Sequence, residues 1–232
     1  MMKRILSIAL ALAVAVSCNT LWAKKGKTFE GVISYKVSAT GDPSVASAFE
    51  MMPESMLVAT LKTKGQHSVM SIMGQKTYVD AKKGVATSLI DISMLGMGTY
   101  CLENPYDGKT TPDKTPVFTG ETKTICGYTA EKVTLGSVDG TTVEAWVTRD
   151  LALETLIPLL PGFNNCVPLQ FNIETAASGM GTIKLTLTAT EVKQQKVPSD
   201  DIVPPKDCQS ITLEELNTLL QGIQNFDNDF EE

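Results

Sequence analysis

The clearest structural signal in this sequence is a β-hairpin within Thr119–Asp150. Two runs of strand-forming residues, Tyr128–Leu135 and Thr142–Thr148, are joined by a short stretch that contains Asp139-Gly140. A turn dipeptide of this kind between β-rich runs is a strong hairpin signal. Apolar residues alternate with polar or mixed ones in the second run, which predicts one apolar and one mixed face. The hairpin carries no nucleophile, metal cluster or phosphate loop, so it indicates architecture rather than chemistry.

Other short runs of strand-forming residues occur on both sides of this hairpin. They are Phe29–Ser38, Leu57–Lys64, Gln66–Met73, Gln75–Asp80, Gly84–Ile90, Met94–Leu102, Val167–Thr175 and Gly181–Val192. Most of the connections are too short for parallel crossovers, so the strands should be antiparallel neighbours. In the first run Phe29, Gly31, Ile33, Tyr35 and Val37 share one face, which we expect to point inward.

Three short helices interrupt this β-rich pattern. Pro43 to Met52 has apolar residues at helical spacing and ends at a proline. Leu151–Ile157 is apolar on nearly every side, which predicts a second, buried helix. A last helix should begin near Ile211, because Thr212 and Glu215 have the spacing of a capping box, and an acidic tail follows it.

The N-terminus has the pattern of a secretory signal peptide over residues 1–23. Lys3 and Arg4 precede a short apolar run, and Ala23 is a small residue at the expected cleavage position. The apolar run is shorter than the ~20 residues that a membrane span needs, so the mature chain should have no transmembrane segment. Lipidation at Cys18 is the alternative, because the residues before it loosely resemble a bacterial lipobox; we favour simple cleavage.

Charge and length limit the function classes. Cleavage would remove two positive charges and no acids, which changes the net charge from −6 to −8. Such a balance argues against a nucleic-acid partner and against docking on anionic lipid. Residues 24–232 suit one domain, in which we find neither an internal repeat nor a domain boundary.

Four cysteines follow the predicted leader: Cys101, Cys126, Cys166 and Cys208. An even number in an exported chain favours disulfides, either two bridges or one bridge with two buried thiols. The pairing stays open at this level. Their wide spacing argues against a zinc site.

Candidate catalytic groups are few. His67 is the only histidine of the chain, and nucleophilic triads and most transition-metal sites need a histidine with partners. Glu121, Glu131, Glu144 and Asp150 are close in sequence, but acids on a solvated strand face are the simpler interpretation. We therefore predict a protein without catalytic residues, metal or cofactor.

The methionines point instead to an apolar ligand. Seven of the eight in the mature chain lie between Met51 and Met97. Methionine is flexible and polarisable, and it is frequent on surfaces that accept varied apolar ligands. The alternative is that these side chains fill gaps in an ordinary core. An aromatic content of 6% fits a compliant apolar interior better than a stacking site for sugars.

Several degenerate blocks together resemble a known family. They are Phe29-Glu30-Gly31-Val32-Ile33-Ser34-Tyr35, the TGETKT run from Thr119 with Gly127-Tyr128 and Glu131-Lys132, Val143 to Thr148, and Ile202-Val203-Pro204-Pro205. The chain resembles exported domains of unknown function from Gram-negative anaerobes, near the LolA/LolB lipoprotein-carrier superfamily. The resemblance implies a mainly β fold, a curved antiparallel half-barrel with short helices across its concave face, and it implies no catalytic residues.

In that superfamily, carriers bind acyl chains between the sheet and the helices. The resemblance thus implies a periplasmic, non-enzymatic protein that binds a lipid or an acylated partner in the half-barrel. The candidate lining is Phe49, Met52, Met70, Met73, Trp146, Leu151 and Leu156. The alternatives are a cell-envelope protein-interaction module with a filled core and no ligand, and a chain anchored in the envelope through Cys18.

Overall fold

The fold was analysed in a computed structural model. The structure describes residues 27–41, 43–93, 98–106, 117–138, 141–155, 157, 166–177 and 181–219. The predicted leader, Cys18, the Asp139-Gly140 turn, Leu156 and the acidic tail lie outside the described residues.

Within these residues the chain is mainly β. Its fourteen strands are β1 (Lys27–Thr28), β2 (Gly31–Gly41), β3 (Val58–Lys64), β4 (His67–Ile72), β5 (Gln75–Asp80), β6 (Val85–Asp91), β7 (Thr99–Pro105), β8 (Val117–Ile125), β9 (Tyr128–Val138), β10 (Thr141–Thr148), β11 (Leu151–Ala152), β12 (Val167–Ala177), β13 (Gly181–Gln194) and β14 (Gln209–Ile211). The described α-helices are α1 (Pro43–Met51) and α2 (213–219).

Twelve of the strands form one open, curved sheet. Their spatial order is β14-β7-β6-β5-β4-β3-β2-β13-β12-β10-β9-β8. All neighbours are antiparallel except β14 and β7, which run parallel. β14 and β8 do not pair with each other, so the sheet does not close into a barrel. The prediction of a mainly β, curved open sheet with few helices is confirmed, and the parallel pair at one end is the departure from it.

The hairpin that dominates the sequence is present as β9 and β10. They pair antiparallel from Val138 opposite Thr141 to Glu131 opposite Val147. Ala145 and Val147 are fully buried, whereas Glu144 and Trp146 on the other face are partly exposed. The period-2 pattern therefore predicted both the pairing and the buried face.

The prediction of a helix over Leu151–Ile157 is wrong. Leu151–Ala152 is β11, which pairs in parallel with β1, and the amide of Phe29 donates to the carbonyl of Ala152 at 2.8 Å. Leu151, Ala152, Leu153, Thr155 and Ile157 are all buried, and Glu154 is exposed. A short apolar run has no period that distinguishes a helix from a strand, and here the distant β1 supplies the backbone hydrogen bonds.

This extended segment still crosses the inner face of the sheet. The hydroxyl of Thr155 donates to the carbonyl of Gln66 in the β3–β4 turn, 3.2 Å away. At the end of the segment, the carbonyl of Ile157 accepts a hydrogen bond from the Tyr106 hydroxyl, next to β7, at 2.6 Å. The segment thus connects β10 on one side of the sheet with β4 and β7 on the other.

The inner face is filled by the side chains of the protein itself. The main core draws on β2, β3, β4, β9, β10, β12, β13 and the 151–157 segment. Its largest side chains with less than 2% exposure include Tyr35, Phe29, Phe171, Ile33, Leu61, Met70, Ile157, Leu169 and Leu187. The Tyr35 and Phe171 rings meet edge to face with centroids 5.7 Å apart. The middle of the half-barrel is therefore packed.

A second, smaller core lies on the outer face. Val69 of β4 and Tyr78 of β5 pack there against Val197 and Ile202, from the segment after β13. The ammonium group of Lys62 on β3 binds Asp201 of this segment at 2.7 Å. The chain then continues to β14 at the end of the sheet.

One disulfide joins the final strand to the sheet. Cys101 on β7 is bonded to Cys208 beside β14, with the two Cα atoms 5.6 Å apart. Cys166 is a buried free thiol and Cys126 an exposed one. Burial raises the pKa of the Cys166 thiol to about 11, so it stays protonated near neutral pH. Of the predicted alternatives, one bridge is found, but only one of the two thiols is buried. A structural disulfide indicates an oxidising, exported location.

Candidate binding pocket

The candidate pocket forms where β2 extends beyond the end of its pairing with β3. The pairing of β2 with β3 ends at Lys36 opposite Val58, while β2 continues to Gly41 against β13. One more backbone bond follows, from the amide of Val37 to the carbonyl of Leu57 at 2.8 Å, and β3 does not pair with the rest of β2. α1 and the connection from Met52 to Leu57 cover the part of β2 that has no β3 partner.

Local sequence explains this covering. Pro43 occupies the first position of α1, where its missing amide hydrogen is not needed. Pro53 follows the helix and cannot continue it. Two turns then form, with Met56 donating to the carbonyl of Pro53 and Leu57 to that of Glu54, at 2.9 and 3.1 Å. These turns lead the chain back to the sheet beside β2.

A pocket of about 350 Å³ lies between α1, these turns and the sheet. We call it the α1 pocket. Its lining is Tyr35, Lys36, Phe49, Glu50, Met52, Glu54, Leu57, Val58 and Thr190. Tyr35 belongs to the main core, and its buried hydroxyl donates to the carbonyl of Pro168 at 2.8 Å. The apolar lining thus rests on a side chain that packing and a hydrogen bond hold in place.

The structure brings two of the predicted ligand-binding residues together in this pocket. Phe49 and Met52 are three residues apart at the end of α1, and both are partly buried. Phe49 also packs against the main core. Helical spacing in the sequence was sufficient to place these two side chains on one face.

The remaining predicted lining residues do not reach the α1 pocket. Met70 is 2% exposed and Leu151 is 5% exposed, and both are part of the main core. Met73 lies with Gly74 in the β4–β5 turn, where both residues have positive φ, at 50° and 87°. Such a pair is typical of tight hairpin turns. Leu156 lies outside the described residues.

Trp146 is on the outward face of β10. The ammonium group of Lys123 is 4.0 Å from the centroid of its ring. Lys123 also binds the side-chain oxygen of Gln170 on β12. Burial lowers the pKa of the Lys123 ammonium group, with a further contribution from the nearby Lys132. Trp146 is partly buried and also packs against the main core, and it does not line the α1 pocket.

Sequence reasoning missed three apolar residues of the pocket. Tyr35, Leu57 and Val58 come from β2 and the start of β3, and each follows a strand pattern. In the sequence, Leu57 and Val58 form an apolar pair directly after a Pro-containing turn, and Tyr35 follows the strand pattern of β2. Only the offset between β2 and β3 shows that these residues lie near α1.

Exposed apolar side chains occur at the rim of the pocket and next to it in sequence. Among the described residues, large hydrophobic side chains with substantial exposure occur at six positions; one of these lines the α1 pocket, and two more are next in sequence to lining residues. The three are Met51, Met56 and Val58, with 81%, 47% and 44% exposure. Apolar surface collected around a concavity is typical of binding sites.

Two further pockets also have charged side chains in their linings. One of about 270 Å³ includes His67, Asp80, Lys83 and Glu103. The other, about 420 Å³ on the outer face, includes Lys62 and Asp201, which already form an ion pair. Both are also lined by apolar residues, among them Tyr78 and the 39% exposed Val203, but neither contains a residue of the predicted apolar lining.

Two of the acidic side chains considered as catalytic groups form ion pairs with basic residues. Glu131 binds Arg149 at 3.2 Å, and Glu144 binds Lys132 at 3.0 Å, so these two acids do not form a pair. His67 stands opposite Asp80 across β4 and β5. In the part of the chain that the structure describes, no group of three or more metal-ligating side chains is found.

The helices of the described ranges are short. Neither α1 nor α2, nor any other helix among these residues, has the length and apolar character to cross a bilayer.

Comparisons with known proteins give a fold and no family. No family model matches the sequence, and no curated protein does either. Two crystal structures of PNGF-II are similar, with TM-scores of 0.51 and 0.48, identities of 14% and 13%, and coverage of 81% and 79% of this chain. The chain spans only about a third of PNGF-II, 32% and 31% of the two chains.

A third similar structure is an uncharacterised conserved protein from Thermus thermophilus. Its TM-score is 0.43 and its identity 12%, over 79% of this chain and 91% of that one. At these identities the likeness to PNGF-II describes the fold alone. The resemblance to the LolA/LolB superfamily stays a prediction.

Proposed function

We propose that this is an exported, non-enzymatic binding protein that takes the alkyl chain of an amphiphile into the α1 pocket. The main support is the contrast between a packed half-barrel interior and a half-open, apolar pocket beneath α1. The site retains Phe49 and Met52 of the predicted lining and gains Tyr35, Leu57 and Val58. A LolA-like way of binding would thus operate beside the C-terminal end of β2 rather than within the packed interior.

The size of the pocket limits the ligand. Ligand pockets typically measure about 300–1,000 Å³, so one of about 350 Å³ is at the small end and suits one alkyl chain. A single myristoyl chain associates with a membrane with a dissociation constant of about 0.1 mM. A shorter chain in a half-open pocket should bind in the range of about 0.1–1 mM.

Calorimetric titration with decyl maltoside below its micelle-forming concentration tests the proposal. Val58→Asp places a carboxylate on the apolar wall at a half-exposed position, and it should weaken binding at least about tenfold, because the alkyl chain would desolvate a charge. The matched control is Val117→Asp, at a 60% exposed position on β8, which should leave binding unchanged. Absence of binding to the unmodified protein, or equal loss in both variants, would contradict the proposal.

The apolar rim also supports the alternative of a cell-envelope protein-interaction module. A partner protein would then cover Met51, Met56 and Val58. Addition of a strand at the sheet ends is less suited, because β14 has three residues and β8 has an irregular register between Phe118 and Thr122. A stoichiometric crosslink from position 51 to one envelope protein, together with no amphiphile binding, would favour this alternative.

We also propose a periplasmic location after cleavage at Ala23, with a lipid anchor on Cys18 as the alternative. The disulfide supports an oxidising compartment. The intact mass of the exported protein distinguishes the two: cleavage gives a chain that begins at Lys24, whereas an anchored chain begins at an acylated Cys18.

A further inference from the structure

The mouth of the α1 pocket carries charges for which the described residues provide no ion-pair partner. Lys36, Glu50 and Glu54 line the pocket and are exposed. None of the ion pairs among the described residues involves any of the three. The mouth therefore presents two negative charges and one positive charge to a bound molecule.

The backbone of α1 adds to this negative balance. Phe49, Glu50 and Met52 place the C-terminal end of the helix at the pocket, and the last turn of α1 contains no basic residue. The C-terminal end of a helix carries a partial negative charge that favours cations. In many helices a Lys or Arg side chain in the last turn offsets this charge, and the last turn of α1 has none.

We infer that the ligand of the α1 pocket carries a cationic head group at the end of its apolar chain. This inference rests on the proposed function, since it concerns the same pocket. The alkyl chain lies against Phe49, Met52 and Val58, and the cation lies at the mouth between Glu50, Glu54 and the end of α1. An anionic head group, such as that of a fatty acid, would meet two carboxylates and find only Lys36.

Three amphiphiles with the same chain length test the inference on the unmodified protein by calorimetry at pH 7.5 and low salt. Decyltrimethylammonium should bind about three to ten times more tightly than decanoate, and decyl maltoside should be intermediate. This factor corresponds to one net exposed charge together with the helix terminus. Decanoate binding that is equal or tighter would overturn the inference, even while decyl maltoside still binds. If none of the three binds, the proposed function itself fails.

Variants locate the preference at the pocket mouth. The double change Glu50→Gln and Glu54→Gln should abolish the preference for decyltrimethylammonium over decanoate. Glu121→Gln with Glu214→Gln makes the same change in net charge on β8 and α2, and it should keep the preference. If this control loses the preference as well, the effect belongs to overall charge and the inference fails.

Discussion

Replacement of Phe171 by alanine should remove about 4–5 kcal/mol from the free energy of unfolding. Phe171 on β12 is 1% exposed and lies in the main core. Its ring meets that of Tyr35 at an interplanar angle of 79°. Phe171 is therefore a direct test of whether the half-barrel interior is as tightly packed as its burial indicates.

The expected loss of unfolding free energy in Phe171→Ala has two contributions. Phe-to-Ala changes in well-packed cores cost about 3–5 kcal/mol, because transfer energy is lost and a cavity remains. The edge-to-face pair contributes about 0.5–1.5 kcal/mol beyond simple burial, which places this site in the upper half of that range. Phe171→Leu keeps most of the volume and should cost about 1.5 kcal/mol.

Urea unfolding of the chain without its predicted leader measures both changes. Leu213→Ala, at a position with 58% exposure on α2, is the surface control and should change stability by less than about 0.5 kcal/mol. The cavity in Phe171→Ala should also bind xenon, which the unmodified interior should not. A loss below about 2 kcal/mol with an unchanged m-value would refute the reasoning, because the interior would then have room for a ligand.

Three further predictions follow from particular contacts. Replacing both Cys101 and Cys208 by alanine should lower the free energy of unfolding by about 4 kcal/mol, because the disulfide spans 107 residues. Thiol titration of the unmodified protein without its predicted leader, unfolded but not reduced, should find two thiols. An unchanged urea midpoint in the variant, or four thiols in the titration, would contradict the prediction. Burial raises the pKa of Tyr106 to about 12 from 10.0, so the stability from its neutral hydroxyl is complete below pH 10 and declines between pH 10 and 12. Tyr106→Phe should make that alkaline decline shallower, and an identical slope would argue against it. Addition of decyl maltoside should leave the fluorescence of Trp146 unchanged, whereas Lys123→Ala should shift its emission to the red; a ligand-induced shift would place the ligand on the outer face of β10.

The strands were predictable because their signals are local. β2 shows this well: Ile33, Tyr35 and Val37 alternate with polar residues and are each at most 1% exposed. The capping box before α2 was equally readable, since Glu215 accepts from the Thr212 amide and donates its own amide to the Thr212 hydroxyl, at 2.8 and 3.2 Å. In each case the residues that set the structure are neighbours along the chain.

Where contacts between distant segments determine the structure, the sequence led to a wrong prediction in one case and left the outcome open in another. The 151–157 segment is extended because β1, more than a hundred residues earlier, supplies its hydrogen bonds. The pairing of Cys101 with Cys208 depends on the parallel approach of β14 to β7, for which the sequence has no signal.

The candidate pocket was only partly predictable for the same reason. Met52 directly follows α1 and its amide donates to the carbonyl of Phe49 at 3.2 Å, so the proximity of these two residues is a local property. Met70 and Met73 have the same residue type and similar positions in the sequence, yet one is in the core and the other in a turn. Residue type alone does not show which methionines line a pocket.

The most direct test of where an apolar ligand binds is an NMR titration of methyl-labelled methionines with decyl maltoside. The methyl signal of Met52 should shift, with smaller shifts for Met51 and Met56. The signals of Met70 in the main core and Met73 in the β4–β5 turn should stay in place. A shift of Met70 without a shift of Met52 would put the ligand inside the half-barrel and contradict the assignment of the α1 pocket.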